Sequence, residues 1–92
     1  MNGKQKEILL ITQEECAEVT QAISKVFRFG IDATHNDKSN RERLCEEVGD
    51  LLCMIELMIV NKIINSDDVD EARKQKLAKL KTWSNIFGEK NE

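Results

Sequence analysis

Four carboxylates have the spacing and the surroundings to hold a cation: Glu15 with Glu18, and Glu47 with Asp50. Residues three apart on a helix lie one above the other, so both side chains of such a pair can reach a single ion. Spacing alone does not single these pairs out. With 17 acidic residues in 92, about three such pairs arise by chance under the helical-neighbour rule. Five occur: Glu15/Glu18, Glu47/Asp50, Asp67/Asp70, Asp68/Glu71 and Glu89/Glu92. Asp67–Glu71 opens a helix, where acids meet the positive end of the dipole, and Glu89/Glu92 falls in the tail. The remaining two pairs interrupt apolar faces.

Glu15 and Glu18 break the stripe Ile8, Ile11, Val19, Ala22, Val26, while Glu47 and Asp50 sit among Leu44, Val48, Leu51 and Leu52. Exposed helix acids commonly have Lys or Arg one turn later, but here those positions are Val19, Ala22, Leu51 and Met54. Only Arg43 lies one turn before Glu47. Four carboxylates gathered near buried faces without cations would repel one another, so a positive ion between them is expected. Oxygen-only ligands favour Mg²⁺ or Mn²⁺ over Zn²⁺, and one His with three scattered Cys makes a poor zinc site. Mg²⁺ often completes its shell with substrate phosphates, which points to a nucleotide. The plainer alternative is a set of solvated acids at a helix boundary.

Three helices must position these groups, and no strand is expected. The first runs from near Asn2 to about Phe29, with Ile8, Ile11, Val19, Ala22, Ile23, Val26 and Phe27 at helical spacing and Gly30 as its stop. Ile31–Lys38 is polar and turn-like. Ser39-Asn40-Arg41-Glu42 reads as a capping box opening a second helix that continues to about Ile64. Its later half is apolar almost all round, so it must be covered on every side. One partner helix cannot do that, and burial against a second copy of the chain is expected. Asn65-Ser66-Asp67-Asp68 caps a third, basic helix whose apolar stripe is Val69, Ala72, Arg73, Leu77, Leu80 and Phe87; Glu89–Glu92 should fray.

Composition bounds the rest. Residues 1–92 give room for one domain, and an isolated chain of this size is marginally stable. Net charge is −3, distributed as 0 over residues 1–30, −6 over 31–70 and +3 over 71–92. The acidic middle argues against duplex nucleic acid as a partner. The longest apolar run is broken by Glu56 and is far shorter than the roughly 20 residues of a membrane span. Three cysteines without CxxC spacing fit a reducing cytoplasm, and the N-terminal residues do not resemble a secretion signal.

Glu15-Cys16-Ala17-Glu18, then 28 residues, then Glu47-Val48-Gly49-Asp50 resembles the ExxE…ExxD pattern of the all-α nucleoside triphosphate pyrophosphohydrolases. Glu14–Val19 and Glu46–Leu52 are similar to the two motif helices of MazG-like proteins, and Lys25–Gly30 extends the likeness. The resemblance covers nearly the whole chain. It implies an all-α helical bundle completed by homodimer or homotetramer formation, and Mg²⁺-dependent hydrolysis of an NTP or dNTP to the monophosphate and pyrophosphate. Glu15, Glu18, Glu47 and Asp50 would be metal ligands. Glu15 or its neighbour Glu14 would accept a proton from the attacking water. Family members often carry a phosphate-contacting Lys on the helix after the second motif, which here matches Lys76 and Lys79. The Asn, Asp or Arg usual beside it is absent from Lys76–Lys81, and a solvated basic face is the plainer reading.

Trp83 could stack on a base, although a lone Trp near a helix end more often packs. Lys25 and Arg28, beyond the acidic pair, are further phosphate-contact candidates. Phe27 and Phe29 read as core or interface, His35 as an exposed loop residue, and Cys16 and Cys53 lack the neighbouring bases of a catalytic thiol. Two alternatives accompany the nucleotide pyrophosphohydrolase: a phosphoribosyl-ATP pyrophosphohydrolase of the same class, and a catalytically silent helical dimerisation module.

Overall fold

Asn2 starts the first helix by satisfying a backbone donor that a helix end leaves free. Its side chain accepts from Gln5 N (2.8 Å), and Gln5 Oε1 accepts from Asn2 N (3.0 Å). In the computed structural model, which describes residues 1–88, this helix is α1 (Gly3–Phe29). It closes where Gly30 adopts φ +100°, a conformation that side chains disfavour. A small hairpin follows, β1 (Thr34–His35) and β2 (Lys38–Ser39), paired antiparallel with Thr34 opposite Ser39. Its two turn residues, Asn36 and Asp37, both have positive φ (52° and 65°), as the favoured two-residue hairpin turn requires. The expectation of no strand is corrected by this two-residue ladder. Asn and Asp tolerate left-handed backbone, and their polarity announced the turn but not the pairing.

Ser39 caps α2 (Asn40–Val60) with the expected capping box to Glu42. The helix ends four residues before Ile64, a second correction. Lys62 takes φ +59° while Ile63 N donates to Met58 O (2.9 Å) and Lys62 N to Ile59 O (3.0 Å). That pair of bonds is a Schellman reversal, which most often places glycine where Lys62 stands. Asn65 then caps α3 (Ser66–Trp83), accepting from Asp67 N and Asp68 N. Phe87, expected on the stripe of this helix, lies beyond its end, a third correction: Ser84 turns extended and its hydroxyl donates to Leu80 O (2.7 Å), closing the helix at Trp83. The expected fraying of Glu89–Glu92 lies outside the described residues.

α1 and α2 run antiparallel, with Gln5 Nε2 at the start of one bonded to Asn61 O at the end of the other (2.9 Å). Their packing seam has a period of seven on both sides. Ile8 and Ala22 are buried on α1 and Asn40 and Met54 on α2, and midway between each pair stands a glutamate, Glu15 and Glu47. The two sequence motifs therefore meet because the seam that joins the helices runs through them. No residue of α3 is buried, and it barely touches the other two helices. The radius of gyration is 16.6 Å, against about 12 Å for a compact domain of this length.

Candidate metal centre

The seam brings carboxylate oxygens of Glu15, Glu47 and Asp50 within 4.8 Å of one another. Glu15 and Glu47 are half-buried and Asp50 is exposed. Among the described residues none of the three is in an ion pair: the pairs are Lys38–Glu46, Arg41–Asp32 and Asp70 with Arg73 and Lys74. The cost falls on Glu15, whose carboxyl titrates above its usual range. Desolvation is the main cause, and the negative charges of Asp50, Glu47, Glu18 and Glu14 add to it. An all-oxygen set of this closeness, with no ion pair of its own, suits a hard divalent ion.

Of the residues singled out in the sequence, Glu18 stands one turn along α1, outside the three-carboxylate cluster but lining a 190 Å³ groove together with Glu47. Glu14 is exposed beside Glu15. Lys25 lines the same groove, whereas Arg28 lies over the ring of Phe29, 5.0 Å from its centroid. Lys76, Lys79 and Trp83 are exposed on α3 and line neither this groove nor the hairpin cavity beside it. Phe27 and Phe29, expected in a core or interface, are exposed in the single chain, at 86% and 61%.

Three further groups at the site were not read as site residues. Asn40 lies at the floor of the groove, seven residues before Glu47, and its Nδ2 donates to Gly30 O (2.8 Å) and, at longer range, Lys25 O (3.5 Å). Arg43 lines the groove and donates from Nη2 to His35 O (2.6 Å), tying the hairpin to α2. His35, with Phe29, Thr34 and Asn36, helps to wall a second cavity of 540 Å³. The period of seven that links Asn40, Glu47 and Met54 was legible in the sequence. The cavity was not, since the hairpin makes it.

A family model for the MazG nucleotide pyrophosphohydrolase domain matches residues 4–83. The chain belongs to that family. Neither curated proteins nor solved structures gave a match. MazG domains generally hydrolyse nucleotide phosphoanhydrides with the help of a divalent metal, and in this MazG chain the acidic cluster occupies both motif helices. No helix among the described residues is long and apolar enough to cross a membrane.

Proposed function

We propose that this chain is a Mg²⁺-dependent nucleoside triphosphate pyrophosphohydrolase, acting on an NTP or dNTP. The observation that carries the proposal is the gathering of Glu15, Glu47 and Asp50 within 4.8 Å, with no described ion pair to any of them. These three, with Glu18 alongside, would hold Mg²⁺ or Mn²⁺. A bound ion there supplies charge neutralisation for the triphosphate and a lowered pKa for water. Hydrolysis joins a water oxygen to phosphorus, breaks the α–β anhydride bond, and releases the monophosphate, pyrophosphate and a proton. Glu15, or Glu14 next to it, would take that proton. Lys25 and Arg43, both lining the adjoining groove, face the phosphates.

The working unit is proposed to be a homodimer or homotetramer. The chain exposes 7426 Å², whereas a folded monomer of 10.6 kDa exposes about 5,500 Å². The excess, about 2,000 Å² per chain, is on the scale of an obligate interface. Leu52 and Val60 on α2 and Leu77 on α3 are among the apolar residues left uncovered. Lys76, Lys79 and Trp83 would reach a nucleotide only across such an interface. Three free, exposed cysteines suit a reducing, cytoplasmic setting.

The test is pyrophosphate release from a panel of NTPs and dNTPs with and without millimolar Mg²⁺, using the parent chain and Glu47→Gln. Mg²⁺-dependent release that Glu47→Gln abolishes, with the oligomer intact, supports the proposal. Turnover by Glu47→Gln at the parent rate would sink it.

A further inference from the structure

The hairpin cavity and the carboxylate groove adjoin, with Lys25, Asn40 and Arg43 lining both. The groove, at 190 Å³, is too small for a whole nucleotide, whereas the cavity, at 540 Å³, falls within the range of small-molecule sites, about 300–1,000 Å³. At their junction stands the one buried polar side chain among the described residues, Asn40, 7% exposed. Its amide orientation is fixed by chemistry: the carbonyl oxygens of Gly30 and Lys25 can only accept, so Nδ2 must face them. Its Oδ1 consequently points elsewhere, and no described hydrogen bond reaches it.

An unpartnered acceptor at this place discriminates between ligand groups. A phosphate oxygen at neutral pH is itself an acceptor and would be repelled; a sugar hydroxyl or a base N–H would be bound. On the groove side of these three residues stand Glu18, Glu46 and Glu47, and on the cavity side the ring of Phe29, Ala33 and the polar hairpin residues Thr34 and Asn36. Carboxylates therefore lie on one side of the two cations and the free acceptor, and the aromatic pocket on the other.

We infer that the hairpin cavity is the nucleoside subsite of the proposed hydrolase, with Asn40 Oδ1 accepting a hydrogen bond from a sugar hydroxyl and Phe29 packing on the base. The inference rests on the proposed function for its phosphate end only. Arg43, by latching His35 O, holds the hairpin wall in place and is a positioning residue for this pocket as well as a phosphate contact.

The test begins without metal or turnover. The ¹⁵N-labelled full chain is titrated with ribonucleoside and deoxyribonucleoside monophosphates, and the amides of residues 33–40 are followed. Saturable shifts there are expected. Either the 2′-deoxy or the 3′-deoxy monophosphate should bind about fivefold more weakly than its parent, as loss of one hydrogen bond implies. Phe29→Ala should weaken binding about tenfold, as loss of a stacking surface does; Phe29 is exposed enough to be truncated without removing core. Shifts confined to residues outside the hairpin, or unchanged affinity for both deoxy compounds and for Phe29→Ala, would overturn the inference. Hairpin binding in a chain that releases pyrophosphate from no nucleotide would leave the subsite standing and remove the hydrolase reading. Pyrophosphate release with a silent hairpin would do the reverse.

Discussion

Replacing Asn40 tests both the stability of the loop and the orientation of its amide. Asn40→Ala removes the 2.8 Å bond to Gly30 O and the weaker 3.5 Å contact to Lys25 O. Lys25 O lies within α1 and retains its helical partner, and Gly30 is exposed enough to be rehydrated. The loss is therefore close to one good buried hydrogen bond plus a small void, about 1–2 kcal/mol. For a domain of this size each kcal/mol moves Tm by about 4–8 °C, so a fall of roughly 5–15 °C is expected. Asn40→Asp keeps the shape but turns a carboxylate oxygen against Gly30 O. At pH 7 it should be less stable than Asn40→Ala, and it should recover as pH is lowered until the new carboxyl protonates and can donate. Differential scanning calorimetry at one fixed protomer concentration measures all three chains, the fixed concentration being needed because association shifts Tm. An Asn40→Ala chain that melts with the parent, or an Asn40→Asp chain more stable than Asn40→Ala at pH 7, would refute both the bond and the assignment of Oδ1 as the free acceptor.

Other expectations follow from the same geometry. Glu15 holds its proton more tightly in the folded chain than its ordinary value of 4.5 implies. Its contribution to stability is therefore full below that value and lost as pH rises through the higher folded one. In EDTA at pH 7, Glu15→Gln should melt above the parent, with the gap closing as pH falls toward 4.5; a gap independent of pH would contradict the burial and repulsion inferred here. Asp70, held low by hydrogen bonds from Lys74 and Arg73, behaves oppositely: its contribution is full above its ordinary 3.8 and lost as pH falls through the lower folded value, so the deficit of Asp70→Asn relative to the parent should hold from pH 7 to about 4 and shrink only below it, as melting across that range would show. Lys62→Gly should raise Tm by several degrees, since Lys62 sits at φ +59°, which costs a side-chain-bearing residue about 1 kcal/mol; no gain in calorimetry would mean that this backbone is unstrained. Leu52→Glu, on the uncovered face of α2, should shift the chain toward monomer in sedimentation velocity, and an undisturbed oligomer would place the interface elsewhere.

Much of this architecture could be read in the residues. The Asn2 and Ser39 caps and the Gly30 stop set helix ends by local hydrogen bonding, which depends on a few adjacent side chains and is therefore visible in one chain. The apolar stripe likewise gave the faces that meet, and with them the approach of Glu15 to Glu47. Two things escaped. The end of α2 escaped because Lys62 occupies a position usually marked by glycine, while Ile63 and Ile64 continue the apolar pattern past it. The hairpin cavity escaped because Arg43 and His35 come together only after the chain has turned, and no spacing rule links a guanidinium to a backbone carbonyl eight residues away. Glu18 shares a sequence motif with Glu15, yet the seam carries only one of the two into the three-carboxylate cluster.

The period-seven seam has a use beyond this molecule. Its layers read Ile8, Glu15 and Ala22 along α1 and, in the opposite direction, Met54, Glu47 and Asn40 along α2. An antiparallel helical hairpin tolerates acids in one such layer because the layers above and below still close it. A cation cage can therefore be written into a helical hairpin by exchanging one facing layer, leaving the register and the remaining contacts alone. The converse also holds: leucine placed at positions 15 and 47 would give a sturdier scaffold without the acidic layer, so that the proposed cation site is kept at the direct expense of cohesion.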